Sequence, residues 1–290
     1  MESNKEQKDV LKSVILTFVP LLAAAVLQVA VNFIDIVVVF LGHVFSKEMH
    51  KQGEDAVEVL NRSLSQPMNR AYVMLFMHLA FMLVFGIWYR KRFAKEESLS
   101  ARAAFGIRSL LPLRLPTLIL CGVLAQLFVG AALILARGAF PKLFVSYDEL
   151  VNRLVGANAS WITLLATFLV APIAEELLFR GVVLGYARTY LKPLPAVLVS
   201  ALLFGLYHGN VIQFCYAFVI GTALGALACR FDNLIPGMLM HITINVSAGF
   251  LPDISELAVP ALVGILIGGA CLFTGLITLI CKTKKRSFAA

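Results

Sequence analysis

The chain is dominated by apolar runs that are long enough, or nearly long enough, to cross a lipid bilayer. A helix needs about 20 apolar residues to span a hydrocarbon layer about 30 Å thick. With 60% hydrophobic and 14% charged residues, the composition is also far from that of a soluble domain. We therefore predict an all-α polytopic membrane protein with about eight transmembrane helices. The candidate spans are 13–42, 71–89, 115–136, 160–180, 194–209, 211–229, 234–250 and 259–281.

The fifth and sixth spans are the least secure, because they share only residues 194–229. The sequence His208-Gly209-Asn210 predicts a break between them, since Gly and Asn favour turns. If the chain only kinks there, seven spans remain. The first span is too long for a straight crossing and contains Pro20, so we expect it to tilt, kink or project beyond the bilayer.

Two glycine pairs have the spacing that lets membrane helices approach closely. They are Gly221-x-x-x-Gly225 and Gly264-x-x-x-Gly268. A glycine every fourth residue leaves a smooth strip on one helix face. We expect close helix packing at both pairs.

The basic residues predict the orientation of the chain. The net charge is +8, and in a membrane protein Lys and Arg collect in cytoplasmic connectors. With the N-terminus inside, 18 of the 25 basic residues fall on inner segments and 7 on outer ones. We therefore expect both termini in the cytoplasm, a multi-pass protein in the plasma membrane of a prokaryote, and no nucleic-acid partner.

Three segments organise the chain. Residues 1–114 hold two spans and a basic connector, 89–108, which we expect to be cytoplasmic. Residues 115–258 hold the core of five spans, and residues 259–290 hold the last span and a basic tail.

Ionisable side chains inside spans are rare and mark functional sites by default, and here they crowd into the second half of the chain. Glu176 and Arg180 are four residues apart on one helix, so they share a face and can pair. Glu175 is rotated by about 100° from Glu176 and points elsewhere. His241 and Asn245 repeat the i, i+4 spacing, as do Phe204 and His208. Two isolated cases precede them: Asp35, which we cannot assign, and His78, which we interpret as a packed bundle histidine.

Hairpin geometry brings the fourth and fifth spans into register. Glu175 lies 17 residues before Lys192 and His208 lies 16 residues after it, so an antiparallel hairpin places the two side chains at the same depth. If the fourth span leaves the hydrocarbon near Arg180, Glu175 is about 8–10 Å deep. His241 enters from the same side at a compatible depth.

A carboxylate, two imidazoles and a carboxamide in an apolar cavity suit peptide hydrolysis. Glu175 beside His208 can deprotonate a water held between them. His241 and Asn245 can donate hydrogen bonds to the oxyanion of a tetrahedral intermediate. The spacing shows neither a serine in a nucleophile elbow nor a cysteine beside these groups, so we expect no covalent intermediate.

Three short motifs carry a family resemblance. "EELLFR" (175–180), "FGLYH" (204–208) and "HITIN" (241–245) fit E-E-x-x-x-R, F-x-x-x-H and H-x-x-x-N. In this order and on successive spans they resemble the CPBP family of intramembrane proteases. That family includes the type II CAAX prenyl endopeptidase and bacteriocin-processing or immunity proteins. The resemblance covers about residues 115–255.

The resemblance implies an eight-helix membrane protease whose catalytic cavity is formed by spans four, five and seven. It implies that Glu175 and His208 activate water and that His241 and Asn245 form the oxyanion site. Glu176 and Arg180 would support them, and Phe204 would serve mainly in packing. The expected substrate is a membrane protein or a lipidated or free peptide, CAAX-type or bacteriocin-like, reached within the lipid bilayer.

Metal dependence is left open by the motifs, and we favour a metal-independent glutamate-type endopeptidase with no cofactor. The alternative is a metalloendopeptidase in which Glu175, His208 and His241 bind zinc, because two His and one Glu are known catalytic zinc ligands. Two further hypotheses give the chain another function. One is a non-catalytic immunity or scaffold protein, and the other is a proton-coupled transporter.

Overall fold

The described part of the protein is built from ten helices. The computed structural model describes residues 2–46, 56–94, 114–156 and 159–282, and within these ranges all regular structure is helical. The predicted all-α membrane class is therefore confirmed. The helices are α1 (Glu2–Ser46), α2 (Ala56–Leu64), α3 (Pro67–Arg92), α4 (Arg114–Ala139), α5 (Pro141–Val155), α6 (Trp161–Ala187), α7 (Pro193–Tyr207), α8 (Val211–Phe231), α9 (Ile235–Phe250) and α10 (Val259–Lys282).

Eight of these helices coincide with the eight predicted spans. Six are long and apolar enough to cross a membrane: α1, α3, α4, α6, α8 and α10. The other two, α7 and α9, are apolar but have only 15 and 16 residues. At about 1.5 Å per residue they reach about 22–24 Å, so each falls short of a full crossing.

The predicted break between the fifth and sixth spans is confirmed. Helix α7 ends at Tyr207 and α8 begins at Val211. Gly209 takes φ +64°, a left-handed conformation that glycine adopts without a steric cost. Asn210 then caps α8, because its Oδ1 accepts hydrogen bonds from the backbone N–H groups of Ile212 and Gln213. The chain therefore reverses here and does not merely kink.

Helix α6 lies at the centre of the molecule. Its most apolar stretch is 61% buried, compared with 17% for α1 and α10. The prediction that this span ends near Arg180 was wrong, since the helix continues to Ala187. It contains two π-helical stretches, Ala166–Val170 and Glu176–Val183. Such stretches inside α-helices often mark functional sites.

Aromatic packing fixes α6 between α3 and α7. Phe81 and Phe85 of α3 share a buried cluster with Phe179 of α6 and Phe204 of α7. The rings of Phe179 and Phe204 pack edge to face with centroids 5.1 Å apart. Ser200 of α7 donates a hydrogen bond to the carbonyl oxygen of Phe179 at 2.9 Å. The α6–α7 hairpin therefore has a fixed register.

The two glycine pairs have opposite outcomes. At Gly221 an added Cβ would lie 3.0 Å from the ring of Phe204, and at Gly225 it would lie 2.9 Å from Val197. Close packing of α8 on α7 is thus confirmed. An added Cβ at Gly264 or Gly268 would meet nothing within 4 Å. The second prediction was wrong, because these two positions of α10 face away from the described residues.

The over-long first span is a single helix with Pro20 inside it. Its last turn is tied to α2 by a 2.7 Å hydrogen bond between Nε2 of His43 and the hydroxyl of Ser63. Residues 95–108 of the predicted cytoplasmic connector lie outside the described residues.

Candidate active site

The predicted pair between Glu176 and Arg180 is present and fully buried. Nη1 of Arg180 donates to Oε1 of Glu176 at 2.8 Å, and both side chains have an exposure of 0%. A buried ion pair is costly to desolvate, so its place in the innermost helix needs further stabilising contacts.

Arg180 has two such contacts besides the glutamate. Its Nη2 donates to the carbonyl oxygen of Gly221 on α8 at 3.1 Å. The guanidinium carbon lies 4.3 Å from the centre of the Phe204 ring, which is cation–π geometry. Phe204 therefore does more than fill space, because it holds the arginine against Glu176.

His241 joins the two glutamates. Its Nδ1 lies 3.1 Å from Oε1 of Glu176, and its Nε2 lies 3.6 Å from Oε2 of Glu175. Because an ionised carboxylate only accepts hydrogen bonds, the bond to Glu176 requires a hydrogen on Nδ1 of the imidazole. Nε2 is then the nitrogen that faces Glu175. Glu176 thus has a partner on α6, Arg180, and both glutamates share one histidine on α9.

His208 also contacts the ring of Phe204. Its Nδ1 donates to the carbonyl oxygen of Phe204 at 2.8 Å. This bond leaves Nε2 of the neutral ring with a lone pair that can accept a proton. The ring of Phe204 packs edge to face on both imidazoles, with centroids 4.8 Å from His208 and 5.7 Å from His241. Phe204 is therefore the contact that the two histidines share.

The register of the hairpin agrees with the predicted common depth of Glu175 and His208. Phe179 and Phe204, which are in contact, lie one helical turn closer to the hairpin turn than Glu175 and His208 do. One turn further on, the latter two residues come level. Within the residues that the structure describes, no ion pair joins them, whereas Glu175 does approach His241.

The length of α6 gives the position of Glu175 along the helix. Helix α6 runs 12 residues past Glu175 before it ends at Ala187, which corresponds to about 18 Å. Glu175 therefore lies about halfway along α6. Arg180, near which the sequence analysis assumed the end of the span, is buried within the protein, and the depth of Glu175 in the bilayer stays a prediction.

Asn245 is held by a backbone carbonyl that a proline leaves free. In the first π-helical stretch of α6 the N–H of Ala171 donates to the carbonyl of Ala166. By the same pattern the carbonyl of Thr167 would receive the N–H of Pro172, which proline lacks. Nδ2 of Asn245 donates to this carbonyl at 3.0 Å. One amide hydrogen of Asn245 is thus structural, and one remains for another acceptor.

Sequence reasoning missed Gly237. An added Cβ there would lie 2.9 Å from Oε2 of Glu176, so only glycine lets α9 pack this closely on the buried carboxylate. Gly221 has the same relation to Arg180, at 3.0 Å from its Nη2. The sequence shows glycines on α8 and α9 and charged residues on α6. It does not show which glycine contacts which charged side chain.

The two isolated polar residues of the first spans are also placed. His78 is buried and donates from Nδ1 to the carbonyl oxygen of Met74 at 2.7 Å, which confirms the interpretation as a packed bundle histidine. Asp35 accepts a hydrogen bond from Nδ2 of Asn69 at 3.0 Å. Neither residue belongs to the cluster on α6.

A cavity of about 350 Å³ adjoins the far side of Arg180. It lies at the end of the bundle where Arg188 of α6 pairs with Asp232 at 3.3 Å. Its walls are formed by the C-terminal ends of α3 and α6 and by the residues just before α9. They include Tyr89, Gly181, Gly185, Asn233 and Leu234. We name this end of the bundle, with Arg92, Arg188 and Arg230, the basic end.

The donor set does not fit a metal centre as arranged. Within the described ranges, no three His, Cys, Asp or Glu side chains are grouped closely enough to hold a metal ion. Of the alternative zinc ligands, Glu175 and His241 are neighbours, and both histidines contact the Phe204 ring. We derive no step through a metal, and metal independence stays a prediction.

Comparison with known proteins bears on this same part of the chain. Residues 157–247 match the family model of the Rce1-like type II CAAX prenyl endopeptidases. This segment is similar to the Rce1-like proteins. It confirms the resemblance to the CPBP family, and it contains all seven residues of the site: Glu175, Glu176, Arg180, Phe204, His208, His241 and Asn245.

A curated Escherichia coli protein gives a second comparison. It is described as an uncharacterized 24.3 kDa protein and is 31% identical over 134 residues, which are 42% of this chain and 58% of that protein. The chain thus spans somewhat more than half of this relative. No solved structure matches the chain.

Proposed function

We propose that the protein is an intramembrane endopeptidase that hydrolyses a peptide bond of a membrane-associated protein or peptide. The observation that carries the proposal is the cluster of Glu175, Glu176, Arg180 and His241, buried halfway along the central helix of an apolar bundle. Its position inside the segment that is similar to the Rce1-like proteins supports a hydrolase of the protease class.

In this proposal Glu175 is the general base. It has one neighbour with matching chemistry, His241 at 3.6 Å, and the residue counts of the hairpin predict His208 at the same level. A water between Glu175 and His208 would give its proton to one of them and attack the peptide carbonyl. Because Nδ1 of His208 is committed to a backbone carbonyl, its Nε2 is the atom available for this proton.

The oxyanion formed by this attack needs hydrogen-bond donors. Asn245 has one amide hydrogen that Thr167 does not use. His241 can donate from Nε2 only as an imidazolium, because the bond to Glu176 already requires a hydrogen on Nδ1. Glu176 then compensates the charge of this ring. The supporting role expected for Glu176 thus has a specific form, which is to orient and neutralise His241.

The test is proteolysis by the purified protein on membrane-anchored peptides, with CAAX-type and unmodified peptides in separate arms. Glu175→Gln keeps the shape of the side chain and removes the base, so we expect a rate loss of about 10²–10⁴-fold. The matched control is Glu149→Gln, an exposed glutamate of α5, which should cleave at the wild-type rate. Full cleavage by Glu175→Gln would overturn the proposal.

The same assay distinguishes the remaining hypotheses. Cleavage that persists after treatment with a chelator supports the metal-independent form, and its loss with recovery on adding zinc supports the metallo form. If the wild type cleaves nothing while uptake into vesicles depends on Glu175, the chain is a proton-coupled transporter. If neither activity exists and Glu175→Gln leaves the cellular phenotype unchanged, it is a scaffold or immunity protein.

We further propose that the basic end of the bundle faces the cytoplasm of a prokaryotic cell. Arg90, Lys91 and Arg92 end α3, and Arg188 and Arg230 lie at the same end of the bundle, as cytoplasmic segments require. A cysteine-free variant labelled at a single new cysteine in each connector, with an impermeant reagent on intact cells, tests this orientation.

A further inference from the structure

A second polar cavity lies between α1 and α3, away from the candidate active site. Its volume is about 500 Å³. Gln28, Asn32 and Asp35 line it from α1, and they follow the i, i+4, i+7 spacing of one helix face. From α3 it is lined by Asn69 and Arg70 at the polar edge and by Met74 and Met77 further along the helix. A carboxylate and a guanidinium therefore share one cavity beside an otherwise apolar helix.

The length of α3 gives the depth of this cavity. The helix carries Arg90, Lys91 and Arg92 in its last turn, which mark one membrane surface. Twenty residues before that turn, about 30 Å along the helix, lies Arg70. The polar edge of the cavity is thus at the level of the lipid headgroups on the opposite surface. Asp35 of α1 lies beside this edge, because Nδ2 of Asn69 donates a hydrogen bond to it at 3.0 Å.

The cavity also borders the bilayer itself. Val29 and Phe33 of α1 lie beside the polar stripe and are 69% and 64% exposed within the protein. Only 17% of the apolar stretch of α1 is buried, so in a membrane this face contacts acyl chains. Met74 and Met77 continue the apolar lining towards the centre of the bilayer. An occupant of the cavity can therefore place a charged group at its edge and its hydrocarbon chains against α1.

We propose that this cavity binds the headgroup of a phospholipid with a primary amine, of the phosphatidylethanolamine class. Arg70 binds the phosphate, for which a guanidinium has the matching geometry. Asp35, held in place by Asn69 at 3.0 Å, accepts hydrogen bonds from the ammonium group. Gln28 and Asn32 offer further amide groups along the same stripe. The occupant is zwitterionic because the cavity presents one charge of each sign.

Binding of the phosphate and binding of the ammonium group can be measured separately. A quaternary choline headgroup carries the same phosphate but has no N–H to donate. Asp35 therefore discriminates between the two lipids, whereas Arg70 binds both. From the worth of a partly exposed charged hydrogen bond, we expect the wild type to prefer the ethanolamine lipid about five-fold over the choline lipid of the same acyl chains.

The experiment is a competition for lipid binding by the detergent-purified full chain, read by native mass spectrometry with the two lipids in equal amounts. Asp35→Asn should lower the preference to about one-fold and leave choline-lipid binding unchanged. Arg70→Gln should weaken both lipids about equally, by about five-fold, and Arg70→Lys should restore part of the loss. Arg90→Gln, on the same helix at its basic end, is the matched control and should retain the preference.

Three outcomes would overturn the proposal. The wild type could bind the two lipids equally, Asp35→Asn could keep the preference, or free phosphoethanolamine could bind as tightly as the whole lipid. The last result would make the cavity a site for a soluble ligand. Gel filtration and the melting temperature show whether each variant is folded. Because the readout is lipid binding, the result does not depend on whether the protein is a protease.

Discussion

The buried pair of Glu176 and Arg180 allows a quantitative test of how the site is held together. We consider three variants, Glu176→Gln, Arg180→Gln and the double variant with both changes. All keep the approximate size of the side chains at two fully buried positions. Each single variant leaves one charge without its main partner, whereas the double variant removes both charges together.

The structure predicts unequal costs for the two single variants. Removing one partner of a buried ion pair costs about 3–5 kcal/mol in the free energy of unfolding. Glu176→Gln should fall at the lower limit, about 3 kcal/mol, because the amide oxygen still accepts from Arg180. Arg180→Gln also loses the bond to Gly221 and the contact with Phe204, which raises its expected cost to about 4–6 kcal/mol.

The double variant is the informative one. Because no uncompensated charge remains, its cost should fall below the sum of the two single costs by about 2–3 kcal/mol. Equilibrium unfolding in detergent micelles, followed by tryptophan fluorescence, gives the free energy of unfolding of each protein.

Additivity would refute this reasoning. If the double variant costs the sum of the single variants within about 0.5 kcal/mol, the two charges do not stabilise each other. The neighbouring contacts to Gly221, Phe204 and His241 would then carry the stability of the site. A control cycle on the exposed pair of Glu58 and Arg62, which are 3.4 Å apart on α2, should show a coupling of only about 0.3–0.5 kcal/mol.

Three other changes test separate contacts. Asn210→Ala removes the cap of α8 and should lower the free energy of unfolding by about 0.5–2 kcal/mol; an unchanged value would contradict the capping role. Gly237→Ala forces a Cβ to 2.9 Å from a buried carboxylate oxygen, so we expect lower activity and stability, whereas Gly264→Ala, with open space around it, should be neutral or slightly stabilising. Asn245→Ala should cost less stability in a Pro172→Ala background, because alanine supplies the backbone N–H that proline lacks and this N–H can bond the Thr167 carbonyl in place of Asn245. Equal costs in both backgrounds would show that the N–H does not replace the Asn245 amide.

The sequence predicted the relative positions of site residues where these depend on a single helix or a single hairpin. The spacing of Glu176 and Arg180 predicted their pair, and residue counts about Lys192 predicted the level of Glu175 and His208. The contact of His241 with both glutamates could not be predicted, because nothing local fixes how deep α9 lies against α6. The free carbonyl of Thr167 was also out of reach, since it depends on a π-helical stretch that no simple 3.6-residue period shows.

The two adjacent glutamates of α6 looked unbalanced when set against a single arginine. The structure changes this account, because His241 contacts Glu175 through Nε2 and Glu176 through Nδ1. With His241 protonated, the cluster holds two negative and two positive charges and is neutral as a whole. With His241 neutral, the cluster keeps one net negative charge.

This balance connects the architecture to the proposed chemistry. When a water gives its proton to Glu175, the cluster gains one positive charge as the oxyanion gains one negative charge nearby. His241 lies 3.6 Å from the carboxylate that would accept this proton, and in the proposal it also donates a hydrogen bond to the oxyanion. Replacing His241 by Gln would remove the charge and keep a hydrogen-bonding side chain. We therefore expect its rate loss to approach that of Glu175→Gln in the same proteolysis assay. A His241→Gln protein that cleaves at the wild-type rate would show that the imidazolium has no part in the reaction.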